Sequence, residues 1–313
     1  MSKDIYLGVV YEPTEIQMGL VTRCGKIEAP LRVKIADRTQ RNTVPKLIRS
    51  IQEYLSDKAM PRAIGIGLPG YVNPEKGQWM HCLRMGIRQP IALAASLEQA
   101  FSVPVRMDND LNAATLAENY YGIGRISRDF LFVLADEAVA MGIVADGRLL
   151  RGVANCVGEL GHLMVDPDGE LCACNARGCL EPIVASDRIV AEAAKNLIDY
   201  PQSALAKAGA LTPDLIFAAA ESGDELALKI AQRVVRALGI GLVNAVNLLN
   251  PEHIVLTGWV CRNAWLLEQV KKYVYAHGFV SSVATLKDIS PSALQGDFAY
   301  VLGAASLCSI YEN

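Results

Sequence analysis

The first third of the chain alternates strand-like apolar runs with helical stretches, and helical periods dominate further on. The alternation predicts strands over 5–11, 16–22 and 26–33, a helix over 44–55 and a strand over 63–67. A helix over 91–101, a strand over 103–107 and a helix opening after Asp108 and Asn109, both good capping residues, complete an α/β lobe. The pattern restarts around Arg125 to Asp129, with strands over 130–135 and 139–144 and an Asp146-Gly147 turn before Arg148. Helices then dominate. One follows Ser186, one follows Thr212, and a long one over 224–249 carries Leu226, Ile230, Val234, Leu238, Leu242 and Val246 as a buried stripe. Asn250-Pro251 stops it. A strand over 253–257, a helix after Cys261 and a final helix over 298–311 close the chain, and no sequence repeat is visible.

At 313 residues the chain exceeds the usual size of a single core, so two lobes are expected. Its 51% hydrophobic and 20% charged residues are those of a folded globular chain. A net charge of −3, without a run of Lys or Arg, gives no footprint for nucleic acid. The first residues lack the pattern of a secretory leader, and no apolar stretch reaches membrane-spanning length, so a cytoplasmic location without membrane contact is expected. Eight cysteines there would remain reduced, and three of them crowd into eight residues, which favours metal over disulfides.

His162, Cys172, Cys174 and Cys179 form the pattern H-x9-C-x-C-x4-C. One imidazole and three thiolates close a tetrahedral site and leave no position for water, as in a structural zinc. Gly169 and Gly178 would supply the turns that such close ligand spacing needs.

The segment GELGHLMVDPDGELCACNARGCLE, residues 158–181, resembles the signature of the ROK family of bacterial sugar kinases and repressors. GLPGYVNPEKG at 67–77, DNDLNAATLAE at 108–118, LNPEHIVLTG at 249–258 and GDFAYVLGAASL at 296–307 extend the likeness over nearly the whole chain. The resemblance implies a two-lobed α/β fold with a central cleft, the actin-like ATPase and sugar-kinase (ribonuclease H-like) architecture. Residues 1–122 would form the N-terminal lobe, 123–297 the C-terminal lobe with the zinc loop, and 298–313 a helix packing back toward the first lobe. It also implies a small sugar held by Gly70, Asn109, Asp110, Glu159, His162 and Glu181, with Asp110 the catalytic base if the chain is a kinase. A homodimer or homotetramer would be the assembly.

Phosphoryl transfer also needs amide-lined turns and magnesium to hold the triphosphate. Where the family reads D-x-G-G-T, this chain reads Val10-Tyr11-Glu12-Pro13-Thr14, and where it reads G-T-G-I-G-G-G this chain reads Asp136-Glu137-Ala138-Val139-Ala140-Met141-Gly142. Pro13 has no amide hydrogen to donate. A carboxylate about 4 Å from a phosphate costs about 4 kcal/mol at intermediate dielectric, roughly a thousandfold in affinity. Thr257 and Trp259 occupy a third turn that is glycine-rich in the kinases. ATP and magnesium are therefore not expected, and a sugar-responsive regulator is the leading expectation, with an ATP-dependent hexose or N-acetylhexosamine kinase as the alternative. Repressors of the family carry a helix-turn-helix ahead of this region, so DNA would be reached only through a segment this chain does not contain. Arg106 and Arg177 are the basic residues nearest in sequence to the expected sugar contacts.

Overall fold

The computed structural model describes residues 5–35, 40–294, 296 and 298–309. The order is β1 (Ile5–Tyr11), β2 (Glu15–Thr22), β3 (Ile27–Lys34), α1 (Gln40–Leu55), β4 (Ile64–Leu68), β5 (Tyr71–Asn73), β6 (Gln78–His81), α2 (Leu93–Phe101), β7 (Val105–Asn109) and α3 (Asp110–Tyr121). It continues with β8 (Phe130–Ala135), β9 (Val139–Ala145), β10 (Arg148–Leu149), α4 (Glu181–Val184), α5 (Ser186–Asn196), α6 (Pro213–Glu221) and α7 (Glu225–Leu249). The last elements are β11 (His253–Gly258), α8 (Ala264–His277), α9 (Val280–Thr285), β12 (Asp288–Pro291) and α10 (Ala299–Ser309).

Two compact units result. The first comprises Met1–Ile126, Leu149–Val157 and Ala293–Asn313, and the second comprises Ser127–Arg148 and Gly158–Ser292. Where the sequence suggests one break at 122/123 and another at 297/298, the chain instead crosses at Ile126, returns to the first unit for Leu149–Val157, and re-enters it at Ala293. The expected end of the last helix at Tyr311 lies outside the described residues.

In the first unit the sheet order is β3-β2-β1-β4-β7, with β1 antiparallel to β2, β2 antiparallel to β3, and β4 parallel to both β1 and β7. The second unit repeats the scheme as β10-β9-β8-β11-β12, with β9 antiparallel to β8 and β11 parallel to both β8 and β12. This duplication is topological and leaves no repeat in the sequence. The first sheet is covered on one face by α10. Gly8 and Gly65 pair across β1 and β4, and a Cβ on either would lie within 2.1 Å of a carbonyl oxygen of α10, that of Val301 or Ala304. Bare backbone on two adjacent strands is what lets the helix sit so close. In the second unit every residue of the predicted α7 stripe is buried. Burial of such a stripe, rather than helix propensity, stabilises a helix of this length. No described helix is long and apolar enough to cross a membrane.

Candidate functional site

The predicted sugar contacts fall into two groups, one in each unit. In the first, Asn109 ends β7 and caps α3, its Oδ1 accepting from the amides of Leu111 at 3.0 Å and Asn112 at 3.4 Å. Its Nδ2 donates to the carbonyl of Gly70 at 3.0 Å, fixing that turn beside the helix start. Gly70 has φ +82°, and a Cβ there would lie 2.5 Å from the His81 carbonyl oxygen and 3.0 Å from Cys82, so only glycine fits. One Asn109 side chain thus both caps α3 and holds the Gly70 turn.

Asp110, the first residue of α3, accepts from the amide of Leu111 at 2.8 Å. Burial raises its carboxyl to about 7, helped by the negative charge of Glu12 and opposed by that Leu111 bond and by Arg84. Asp108 is not the cap that the sequence suggests. It lies in β7, fully buried, accepts from Asn112 Nδ2 at 3.1 Å, and forms an ion pair with Arg151, 43 residues away. No local signal in the sequence announces this pair. Arg106 is turned away, donating to the Val105 carbonyl at 3.0 Å and lying 3.8 Å from Glu98.

The Glu12-Pro13-Thr14-Glu15 turn closes on itself through the Glu12 amide and the Glu15 carbonyl at 2.9 Å. Gln17 donates to Glu15 at 2.8 Å and to Glu12 at 3.4 Å, and Val10 is buried. The Glu12 amide, bonded within the turn, is not offered to a phosphate, and Pro13 has none to offer.

In the second unit, Glu159 precedes a single 3-10 turn, Leu160–His162, which places residues three apart on one side. His162 Nε2 lies 3.9 Å from a Glu159 carboxylate oxygen, whereas Nδ1 lies 3.6 Å from Cys172 Sγ. Glu181 begins α4 and accepts from the amide of Val139 at 3.2 Å, and a Cβ on Gly161 would lie 3.2 Å from its Oε2. Glu159, His162 and Glu181 therefore meet around one turn.

The ligand atoms of His162, Cys172, Cys174 and Cys179 all lie within 4.8 Å of one another. Cys174 and Cys179 sulfurs are 3.7 Å apart. A tetrahedral site with metal–sulfur bonds of about 2.3 Å has edges of about 3.8 Å, so the cluster is already the size of one metal ion. Burial and the neighbouring thiols push the Cys179 thiol up to about 12, a cost that a bound dication removes. The loop turns at Gly178, φ +73°, where a Cβ would lie 1.7 Å from the Asp166 carbonyl oxygen. Sequence reasoning missed Arg233 of α7, which reaches Glu170 inside this loop at 3.5 Å and Glu192 of α5 at 2.6 Å.

At the β8–β9 turn the Asp136 amide is spent on the Ala138 carbonyl at 3.0 Å, and burial raises the Asp136 carboxyl against the pull of Arg262. At the end of β11, Gly258 has φ +98°, and the next residue, Trp259, is fully buried, its ring 5.1 Å from that of Phe217 on α6.

The ROK family profile matches residues 6–310. The chain belongs to the ROK family. This ROK protein is 32% identical over 324 aligned positions to a glucokinase of Halalkalibacterium halodurans, covering 100% of the chain and 97% of that relative. It is 30% identical to the transcriptional regulator NagC of Escherichia coli K12, over 74% of the chain and 58% of NagC. A crystal structure of a ROK family transcriptional regulator, a homologue of E. coli Mlc, superposes with a TM-score of 0.90 at 26% identity over 97% of this chain and 78% of that one. A ROK family glucokinase of Streptomyces griseus, in complex with glucose and AMPPNP, gives 0.78 at 25% identity over 97% and 98%. The fold is the actin-like ATPase fold of ROK sugar kinases and repressors, and the family likeness reaches both groups.

Proposed function

We propose that this ROK protein is a sugar-binding regulator that does not use ATP. A small sugar would be held by the Gly70, Asn109 and Asp110 group together with Glu159, His162 and Glu181. A structural zinc on His162, Cys172, Cys174 and Cys179 would fix the imidazole through Nδ1 and leave Nε2 for a hydroxyl. Carboxylates, an amide and an imidazole suit vicinal hydroxyls, which donate and accept in pairs.

The observation that carries the reading is the state of the three turns. Glu12 and Pro13 stand in a hairpin closed on itself, Asp136 and Glu137 bring carboxylates to a second turn, and Trp259 is core at the third. The residue types suited to hydroxyls at Asn109, Asp110, Glu159, His162 and Glu181 are meanwhile all present. The superposition on the Mlc homologue supports the same reading. The chain spans 58% of NagC, so DNA binding by that regulator is not carried over.

Thermal-shift screening of hexoses, amino sugars, N-acetyl sugars, sugar phosphates and nucleotides tests this, because a ligand bound only by the native state raises its melting temperature. The expected result is a shift with one class of sugar and none with ATP and magnesium.

One observation favours the kinase reading. A carboxyl raised to about 7 at Asp110 is poised to take a hydroxyl proton near neutral pH. ATP-dependent phosphorylation of a sugar, abolished by Asp110→Asn, would establish that reading.

A further inference from the structure

The first half of α7 and the length of α8 enclose a groove of about 530 Å³ on the second unit, lined by none of the residues proposed for the sugar or the metal. Trp265, Gln269, Tyr273 and His277 line it at four-residue intervals, so one complete face of α8 is turned into it. The opposite wall is α7, with Gln232 and Arg236 above the aliphatic Leu228 and Val235.

The aromatic wall is held in place. A Cβ on Gly239 of α7 would lie 2.2 Å from the Tyr273 ring, so the absence of a side chain there lets the ring lie against the helix. On its other side Tyr273 stacks on His277 with ring centroids 4.0 Å apart and planes 16° from parallel, and the His277 Nδ1 lies 2.8 Å from the Tyr273 carbonyl oxygen. A ring held from both sides is rigid, and with both faces taken it offers the groove its edge.

The polar lining has the opposite character. Among the described residues, Gln232, Arg236, Gln269 and the Trp265 indole have no hydrogen-bond or ion-pair partner, although the neighbouring Arg233 is fully engaged with Glu170 and Glu192. No carboxylate lines the groove. One guanidinium, two amides and an indole N–H thus face a concavity of the volume typical of small-molecule sites. The unpaired charge is positive.

We propose that this groove is a second ligand site, for a small planar aromatic carboxylate. The ring would lie against Trp265 and meet the edge of Tyr273, and the carboxylate would be taken by Arg236, whose fork matches its two oxygens, with Gln232 and Gln269 bonding at the edges. The site is independent of the sugar reading and of the metal loop.

Calorimetric titration of the full chain with 1-naphthoate, and with neutral 1-naphthalenemethanol, tests this. Saturable naphthoate binding is expected, weakened about tenfold or more by Arg236→Gln and by Gln269→Glu, with the alcohol weaker by a similar factor. Neither side chain has a partner to lose among the described residues, so both substitutions should leave the melting temperature and any sugar-induced shift unchanged, which separates failure here from failure of the sugar reading. Absence of saturable binding, equal affinity for the alcohol, or full affinity in Gln269→Glu would overturn the site. So would light scattering that showed a dimer dissociated by Arg236→Gln, since the groove would then be covered by a second copy.

Discussion

Arg151 forms an ion pair with the fully buried carboxylate of Asp108, joining the Leu149–Val157 segment to the last strand of the first sheet. The same carboxylate accepts from the Asn109 amide at 2.7 Å and from Asn112 Nδ2 at 3.1 Å, so the start of α3 and the returning segment share one anchor. Asn109 and Asp110, which carry the proposed sugar contacts, sit directly on it.

Removing Arg151 leaves a buried charge without its partner. Arg151→Met should destabilise the protein by about 2–4 kcal/mol, at the lower end for a pair with one partly exposed member. Adding Asp108→Asn should recover part of the loss by removing the orphaned charge. Urea unfolding of the two variants checks both signs, and an Arg151→Met protein as stable as the parent would remove the anchor.

Metal analysis of protein purified without added metal should give one zinc per chain. Cys179→Ser should lose it, and with it a contribution on the order of 10 kcal/mol to holding the loop. Strong chelators should lower the melting temperature of the parent and leave that of Cys179→Ser unchanged.

Gly178→Ala should act on the same loop without touching a ligand, because its new Cβ would collide with the Asp166 carbonyl. Gly223 also has positive φ, +90°, but nothing lies within 4 Å of a Cβ there. Gly223→Ala should therefore cost only about 1 kcal/mol and keep the metal, whereas Gly178→Ala should release it. Zinc content of the two alanine variants separates collision from backbone strain.

Much of this was legible in the sequence, and the reasons are particular. The α7 stripe and the H-x9-C-x-C-x4-C spacing are local patterns, and each maps onto one helix or one loop. The Asp146-Gly147 turn was equally plain, with φ +50° and +73° at its two central residues. The short pieces were not. The β5–β6 hairpin and β12 have three or four residues per strand, too few for a period, and β12 ends in Pro291 at the sheet edge. Helix α1 spans Gln40–Leu55, ahead of the expected Val44, and carries Pro45 inside it at the loss of one intrahelical hydrogen bond, which the local pattern does not suggest. Asp108 with Arg151, and Arg233 with Glu170, join residues far apart in the chain, and nothing local marks them.

The Asp110 carboxyl gives a pH test with a definite sign. Its folded value of about 7 lies above the ordinary 3.8, so the native state binds the proton more tightly than the unfolded chain. Its contribution to stability is therefore intact below about pH 4 and is lost as pH rises toward 7. Asp110→Asn should be more stable than the parent at pH 8 by about 1–2 kcal/mol, after allowance for partial exposure, and no different at pH 4. Glu12→Gln should move the Asp110 midpoint downward in a carboxyl NMR titration.

Equilibrium dialysis of the metal-loaded protein against labelled ATP with excess magnesium, in the presence of the sugar that gives the largest thermal shift, bears most directly on the central claim. Retention of sugar with no retained nucleotide at millimolar ATP is the predicted result. Stoichiometric nucleotide at micromolar ATP would show that Glu12, Pro13, Asp136 and Trp259 do not prevent a triphosphate from binding, and would contradict the account.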